Sequence, residues 1–80
     1  MKEKKAVALK EYAKNFKVVA KGRGRIAETI INVAREHKIP ITRDEELVEN
    51  LCRVELYEDI PPELYDYVVK VVEFIYNKKN

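Results

Sequence analysis

The sequence predicts an α/β fold: one small mixed three-stranded sheet with about three helices packed on it. Three observations carry that reading. Two short apolar runs, Ala6–Lys10 and Phe16–Lys21, read as strands; the second is rich in β-branched residues and is broken by Gly22 and Gly24. Apolar residues then recur at helical spacing from Ile26 to His37. Finally, residues 61–76 form a continuous helical pattern opened by Pro61 and Pro62, where a missing N–H costs nothing. Eighty residues suffice for one domain with one modest core.

Met1–Lys5 is charged and reads as a solvated tail, leaving residues 6–80 as the module. Ala6–Lys10 is the first strand, Glu11–Asn15 a polar turn, and Phe16–Lys21 the second strand. Joined by a short turn, these two should pair antiparallel. A helix follows over Arg25–Lys38, with Ile26, Ala27, Ile30, Val33, Ala34 and His37 on one side. Ile39–Thr42 is the expected third strand, with Pro40 placing it at an edge or a strand start. Strand, helix and strand from Phe16 to Thr42 should form a right-handed crossover with parallel strands. Thr42 and Glu45 have capping-box spacing, with Asp44 as the rival cap, for a short helix over Glu45–Arg53. Val54–Ile60 is read as a turn or irregular link.

The last helix has more apolar surface than one core requires. Past its first turn the polar positions are Asp66, Lys70, Glu73 and Asn77, which fall within about 60° of one another on a helical wheel. Two apolar stripes remain. Leu64, Val68, Val71 and Ile75 form one; Tyr65, Val69, Val72 and Tyr76 form the other. A surface helix ordinarily shows one. The second stripe is either covered by the short helix at Glu45–Arg53 or offered to a partner.

Composition narrows the function classes. Serine, glutamine and tryptophan are absent, so a serine nucleophile is excluded. One cysteine and one histidine cannot complete a Cys/His zinc site in one chain. A lone Cys52 allows no internal disulfide and fits a reducing, cytoplasmic setting. Sixteen basic and fourteen acidic residues give a net charge of +2, which does not mark a nucleic-acid binder. No apolar run approaches the length of a membrane span, and no signal peptide is visible.

Several constellations admit a chemical reading beside a structural one. Gly22-Arg23-Gly24-Arg25-Ile26-Ala27 matches G-x-G-x-x-G/A between a strand and a helix, with Asp44 about 20 residues on. It is a candidate nucleotide- or anion-binding turn; the structural reading is a tight strand-to-helix connection. Lys21, Arg23 and Arg25 could hold an anion or form a solvated basic loop. Cys52 and His37 could pair as nucleophile and base, but no third orienting group is identifiable. Asp44, Glu45 and Glu46 could take a cation or complement a helix N-terminus, and Glu58 and Asp59 invite the second explanation. These readings predict no cofactor, no metal and no catalytic residue.

Five pieces in order carry a resemblance: Ala-Val-Ala-Leu-Lys at 6–10, Val-Val-Ala-Lys-Gly at 18–22, Ile-Pro-Ile at 39–41, Ile-Pro-Pro-Glu-Leu-Tyr at 60–65 and Phe-Ile-Tyr at 74–76. Together they resemble the cytoplasmic C-terminal domain of FlhB, the specificity-switch family of flagellar type III export. The resemblance implies a non-enzymatic module acting in protein export at the cytoplasmic face of the export gate, without membrane insertion of its own. Its partners would be export-apparatus proteins and export substrates, met as a monomer. It also implies a docking patch, which maps onto Phe16, Val69 and Val72; Tyr65 and Tyr76 extend it along the second stripe. Asn15 and Phe16 stand where the family often has a small residue and proline, so the patch should differ in shape. Family members cut themselves between Asn and Pro ahead of the Ala-Val-Ala-Leu strand. This sequence contains no Asn-Pro bond, so no such cut is expected, and the chain reads as a free-standing homologue of the fragment after cleavage.

Overall fold

The computed structural model describes residues 3–77, with side chains through Ile75. Its elements run β1 (Lys5–Tyr12), β2 (Asn15–Arg23), α1 (Arg25–Glu36), α2 (Glu45–Leu51) and α3 (Pro62–Asn77). The strands are longer than the apolar runs alone indicate, because the turn between them occupies only Ala13 and Lys14. Both turn residues have positive φ, 50° and 68°. That is the geometry of a two-residue hairpin turn whose twist matches the strands.

β1 and β2 pair antiparallel, from Lys5 opposite Arg23 to Tyr12 opposite Asn15. The register shifts where Ala8 faces Ala20 but Leu9 faces Val18, leaving Val19 as an extra residue in β2. This bulge sorts the side chains of β2. Phe16, Val18 and Lys21 share a face with Val7 and Leu9, while Lys17, Ala20 and Gly22 share the other with Ala6, Ala8 and Lys10.

The hairpin therefore lies between two layers. On one face Phe16 and Val18 form the core with Leu47 and Leu51 of α2, Ile60, and Val68 of α3. Val18 and Val68 are almost completely sealed from solvent, at 0% and 1% exposed. On the other face the small residues Ala6, Ala20 and Gly22 let α1 approach closely, and Ala27 of α1 is fully buried there.

The expected third strand does not form. Among the described residues the sheet has two strands, and Ile39–Thr42 carries no strand structure. Ile39 and Ile41 are 54% and 44% exposed. Two facts explain the difference. α1 ends in a Schellman turn: Lys38 has φ 58°, its N–H donates to Arg35 O, and the Ile39 N–H donates to Ala34 O. Ile39's donor is thereby spent on the helix end, and Pro40 has none. The outer edge of β2, which a parallel strand would need, is also already occupied. Tyr57 N–H donates to Val18 O at 2.7 Å, Ile60 N–H donates to Phe16 O at 2.9 Å, and Lys17 and Asp59 form an antiparallel bridge. The segment read as an irregular link closes the sheet instead, so the parallel crossover is absent.

α2 starts at Asp44, whose carboxylate accepts the Leu47 N–H at 3.0 Å; Asp44 is the cap rather than Thr42. Its far end is held by Lys21, which donates to Cys52 O at 2.9 Å and Val54 O at 2.7 Å. In α3 the most buried residue is Val68, and Leu64, Tyr65, Val69, Val71 and Val72 all pack around the core. Both apolar stripes thus contribute to one wide contact face. The exposed apolar flank lies elsewhere on the helix, at Tyr67 and Phe74.

Candidate functional site

The structure brings several members of the predicted patch together. Phe16 points from β2 into the core and is buried, and the Tyr65 ring stands 6.1 Å from its ring at a tilt of 46°. Such a tilted pair is favourable beyond the area it buries. Tyr65 is half-buried and anchored at its other end, where its hydroxyl donates to Lys14 O at 3.2 Å. Val69 and Val72 are half-buried and pack against the same core cluster. Tyr76 lies in the last turn of α3, and its side chain is outside the described residues. Beside this edge is an open concavity of about 360 Å³ lined by Asn15, Ile60, Pro62, Tyr65 and Asp66. Asn15 turns its side chain inward to accept the Phe16 N–H at 2.7 Å, fixing the strand entry.

The glycine turn has structural duties. A Cβ on Gly22 would stand 2.1 Å from Ile26 Cγ2, so glycine permits the approach of α1 to β2. Gly24 has φ 56°, and its N–H donates to Lys4 O at 2.8 Å. That donor is therefore not turned toward a phosphate. Of the three basic residues there, Lys21 holds the end of α2, and Arg23 lies 3.9 Å from Glu3.

His37 caps α1 and Cys52 caps α2; among the described residues no interaction joins them. Asp44 caps α2 and also accepts a hydrogen bond from the Tyr67 hydroxyl of α3. The Tyr67 bond, then the Leu47 N–H, hold the Asp44 carboxyl below its ordinary range, and the same contact raises the Tyr67 hydroxyl. Asp59 does not serve the N-terminus of α3; it pairs with Lys17 at 2.8 Å, which raises the Lys17 ammonium. Glu49 is held low by its ion pair with Lys5. No group of His, Cys, Asp and Glu among the described residues is arranged to hold a metal ion. No helix among them is long and apolar enough to cross a membrane.

Two features escaped the sequence reading. One is the segment 57–60 as the sheet's closing edge, invisible because Glu58 and Asp59 break any alternation of apolar and polar residues. The other is a second concavity on the opposite sheet face, lined by Lys10, Tyr12, Lys17, Val19 and Tyr57. The only signal for it was the period-two placement of Lys10 and Tyr12.

Comparison with known proteins places this architecture. The chain is 37% identical over 76 residues to the uncharacterized protein YlqH of Bacillus subtilis, covering 91% of this chain and 82% of that protein. It is 37% identical over 78 residues to the flagellar biosynthetic protein FlhB of Aquifex aeolicus. That match covers 92% of this chain but 22% of FlhB, and the match to FlhB of Borreliella burgdorferi covers 17% of that protein. The chain thus corresponds to most of one relative and to about a fifth of the others. A family model described as the FlhB HrpN YscU SpaS Family matches residues 3–75, from the lead into β1 to the last turns of α3, and the chain belongs to that family.

Proposed function

We propose that this chain is a non-enzymatic component of flagellar type III protein export, acting on the cytoplasmic side of the export apparatus. Its proposed work is to dock an apolar segment of an export substrate or of an export-gate protein at the edge formed by Phe16, Tyr65, Val69 and Val72. Tyr76 would extend this edge along the same helical stripe. Family membership supports the process, as does similarity to proteins named for flagellar biosynthesis. The observation that carries the site is the half-buried Tyr65, set against Phe16 and bordering an open concavity. An apolar side chain seated there would contribute about 1.5–3 kcal/mol, which gives the weak, reversible contact that passing cargo requires.

The test is capture of partners from flagellated cells followed by reconstitution with the purified partner. Val69→Ser combined with Val72→Ser should weaken that purified interaction while the circular dichroism spectrum stays native. Undiminished binding by a folded double variant would remove the site from consideration. The nucleotide-binding reading of Gly22–Ala27 has no supporting observation, because packing and backbone hydrogen bonding account for both glycines.

A further inference from the structure

The second concavity lies on the sheet face opposite Phe16, beyond the part that α1 covers. Lys10, Tyr12, Lys17, Val19 and Tyr57 line about 210 Å³ there. The strand register sets Lys10 directly opposite Lys17. Like charges facing each other across an antiparallel pair destabilise it, and the chain as a whole is nearly charge-balanced. Asp59 compensates Lys17; among the described residues Lys10 has no ion-pair partner. Tyr12 and Tyr57 are 58% and 67% exposed, and neither hydroxyl has a hydrogen-bond partner among the described residues.

Tyr57 adds an independent observation. It sits at φ 67°, a conformation unfavourable for a bulky side chain and found mainly where the surroundings enforce it. Its N–H bond to Val18 O provides that enforcement and presents the ring beside the hollow. The Lys17 ammonium lies 5.8 Å from the centre of the Tyr12 ring, so the cation and the aromatic surface are adjacent. Lys17 is held by Asp59 and the Tyr12 ring, whereas among the described residues Lys10 and the two tyrosine hydroxyls around Val19 are left without a partner.

We infer that this face docks an extended acidic peptide segment of a partner protein, with one carboxylate seated between Lys10 and Lys17 and the apolar side chain two residues along, on the same face of the segment, between Tyr12 and Tyr57 against Val19. The volume lies below the roughly 300–1,000 Å³ of small-molecule sites, which favours the side chains of a peptide over a free small ligand. Asp59 sits on Lys17, and Glu58 adjoins it in the chain, so a phosphate polyanion would meet negative charge at this rim. A single carboxylate beside an apolar group fits better. The site lies on the other face of the sheet from the proposed export-docking edge and does not rest on that proposal.

The experiment is a titration of the isotopically labelled full chain, followed by amide NMR. The probes are the blocked peptide Ala-Ala-Glu-Ala-Leu-Ala-Ala, its analogue with the acid replaced by lysine, sodium acetate and a short oligonucleotide. Expected are saturable shifts confined to residues 10–12, 17–19 and 57 with the acidic peptide alone, weakened by added salt. Lys10→Glu should reduce affinity about tenfold or more, equivalent to ~1.4 kcal/mol. Tyr57→Gly should abolish binding without lowering the melting temperature, because glycine accepts a positive φ at no steric cost. Shifts centred on Phe16 and Tyr65, no saturation at millimolar peptide, or unchanged affinity in Lys10→Glu would each overturn the inference. So would equal shifts from acetate, which would mark an adventitious ion only, or tighter binding of a short oligonucleotide.

Discussion

Gly22 lies directly beneath Ile26: a Cβ built on the glycine would come within 2.7 Å of Ile26 Cβ and 2.1 Å of its Cγ2. Rotating the isoleucine cannot relieve a clash with its Cβ, so α1 itself would have to lift from the sheet. Gly22→Ala should therefore cost about 1–3 kcal/mol, the range for overpacking a close contact. NAD or ATP should leave the melting temperature of either protein unchanged. A melting point that climbs with nucleotide concentration would show a bound ligand and restore the phosphate reading of this turn.

The hairpin turn offers the opposite change. Ala13 and Lys14 both occupy the left-handed region, which costs an L-residue roughly 1–2 kcal/mol. Replacing them with Asn-Gly should stabilise the domain by about 1 kcal/mol. Lys38→Gly, at the left-handed end of α1, should add about 0.5–1 kcal/mol. Thermal or urea denaturation measures both.

Asp44 joins α2 to α3 through Tyr67 and should make stability depend on acid. Its folded carboxyl titrates below the ordinary value of 3.8. The stabilisation is therefore complete above that pH and lost as pH falls through the lower, folded value. Tyr67→Phe removes the larger cause, so the acid loss should shrink and move toward the ordinary carboxylate range. The raised Tyr67 hydroxyl predicts a second loss as pH climbs above 10.0, which the same variant should eliminate. Melting temperatures from acid to alkaline pH give both limbs.

Val68 and Val72 stand one turn apart on α3 but should answer differently. Val68 is 1% exposed, and Val68→Ala should cost about 2–3 kcal/mol. Val72 is half-buried at the margin of the same core, so Val72→Thr should cost about 1 kcal/mol. Partner binding should fall in the folded Val72→Thr protein. Val72→Asp measured by circular dichroism sets the limit: complete unfolding would show that this residue serves the core and not a docking edge.

Much of the architecture was legible in order along the chain. The hairpin, the helix after Gly24, the short acidic-capped helix and the proline-opened last helix follow from periodicity and capping residues. The breadth of the apolar face of α3 was legible too, but spacing did not show that both stripes pack on the core and that the exposed flank lies at Tyr67 and Phe74. These signals are local, and a helix or hairpin needs only neighbours within a few residues to express them. The third strand failed for a non-local cause. Ile39–Thr42 has apolar residues suited to a strand, but its place beside β2 is taken by residues far along the chain.

The division between sequence and structure therefore follows distance along the chain. Residue spacing established which segments are strand or helix and that α3 carries more apolar surface than one stripe. Three-dimensional packing alone settled which faces meet. The extra residue Val19 turns Ala20 and Gly22 toward α1 while Phe16 and Val18 face α3. Edge bonds from Tyr57 and Ile60 displace the expected strand, and the same register brings Lys10 opposite Lys17 beside Tyr57. A one-residue change of register reverses every later side chain in a strand, and an edge accepts whichever segment reaches it with free donors and acceptors. Neither outcome leaves a periodic mark in the amino-acid order.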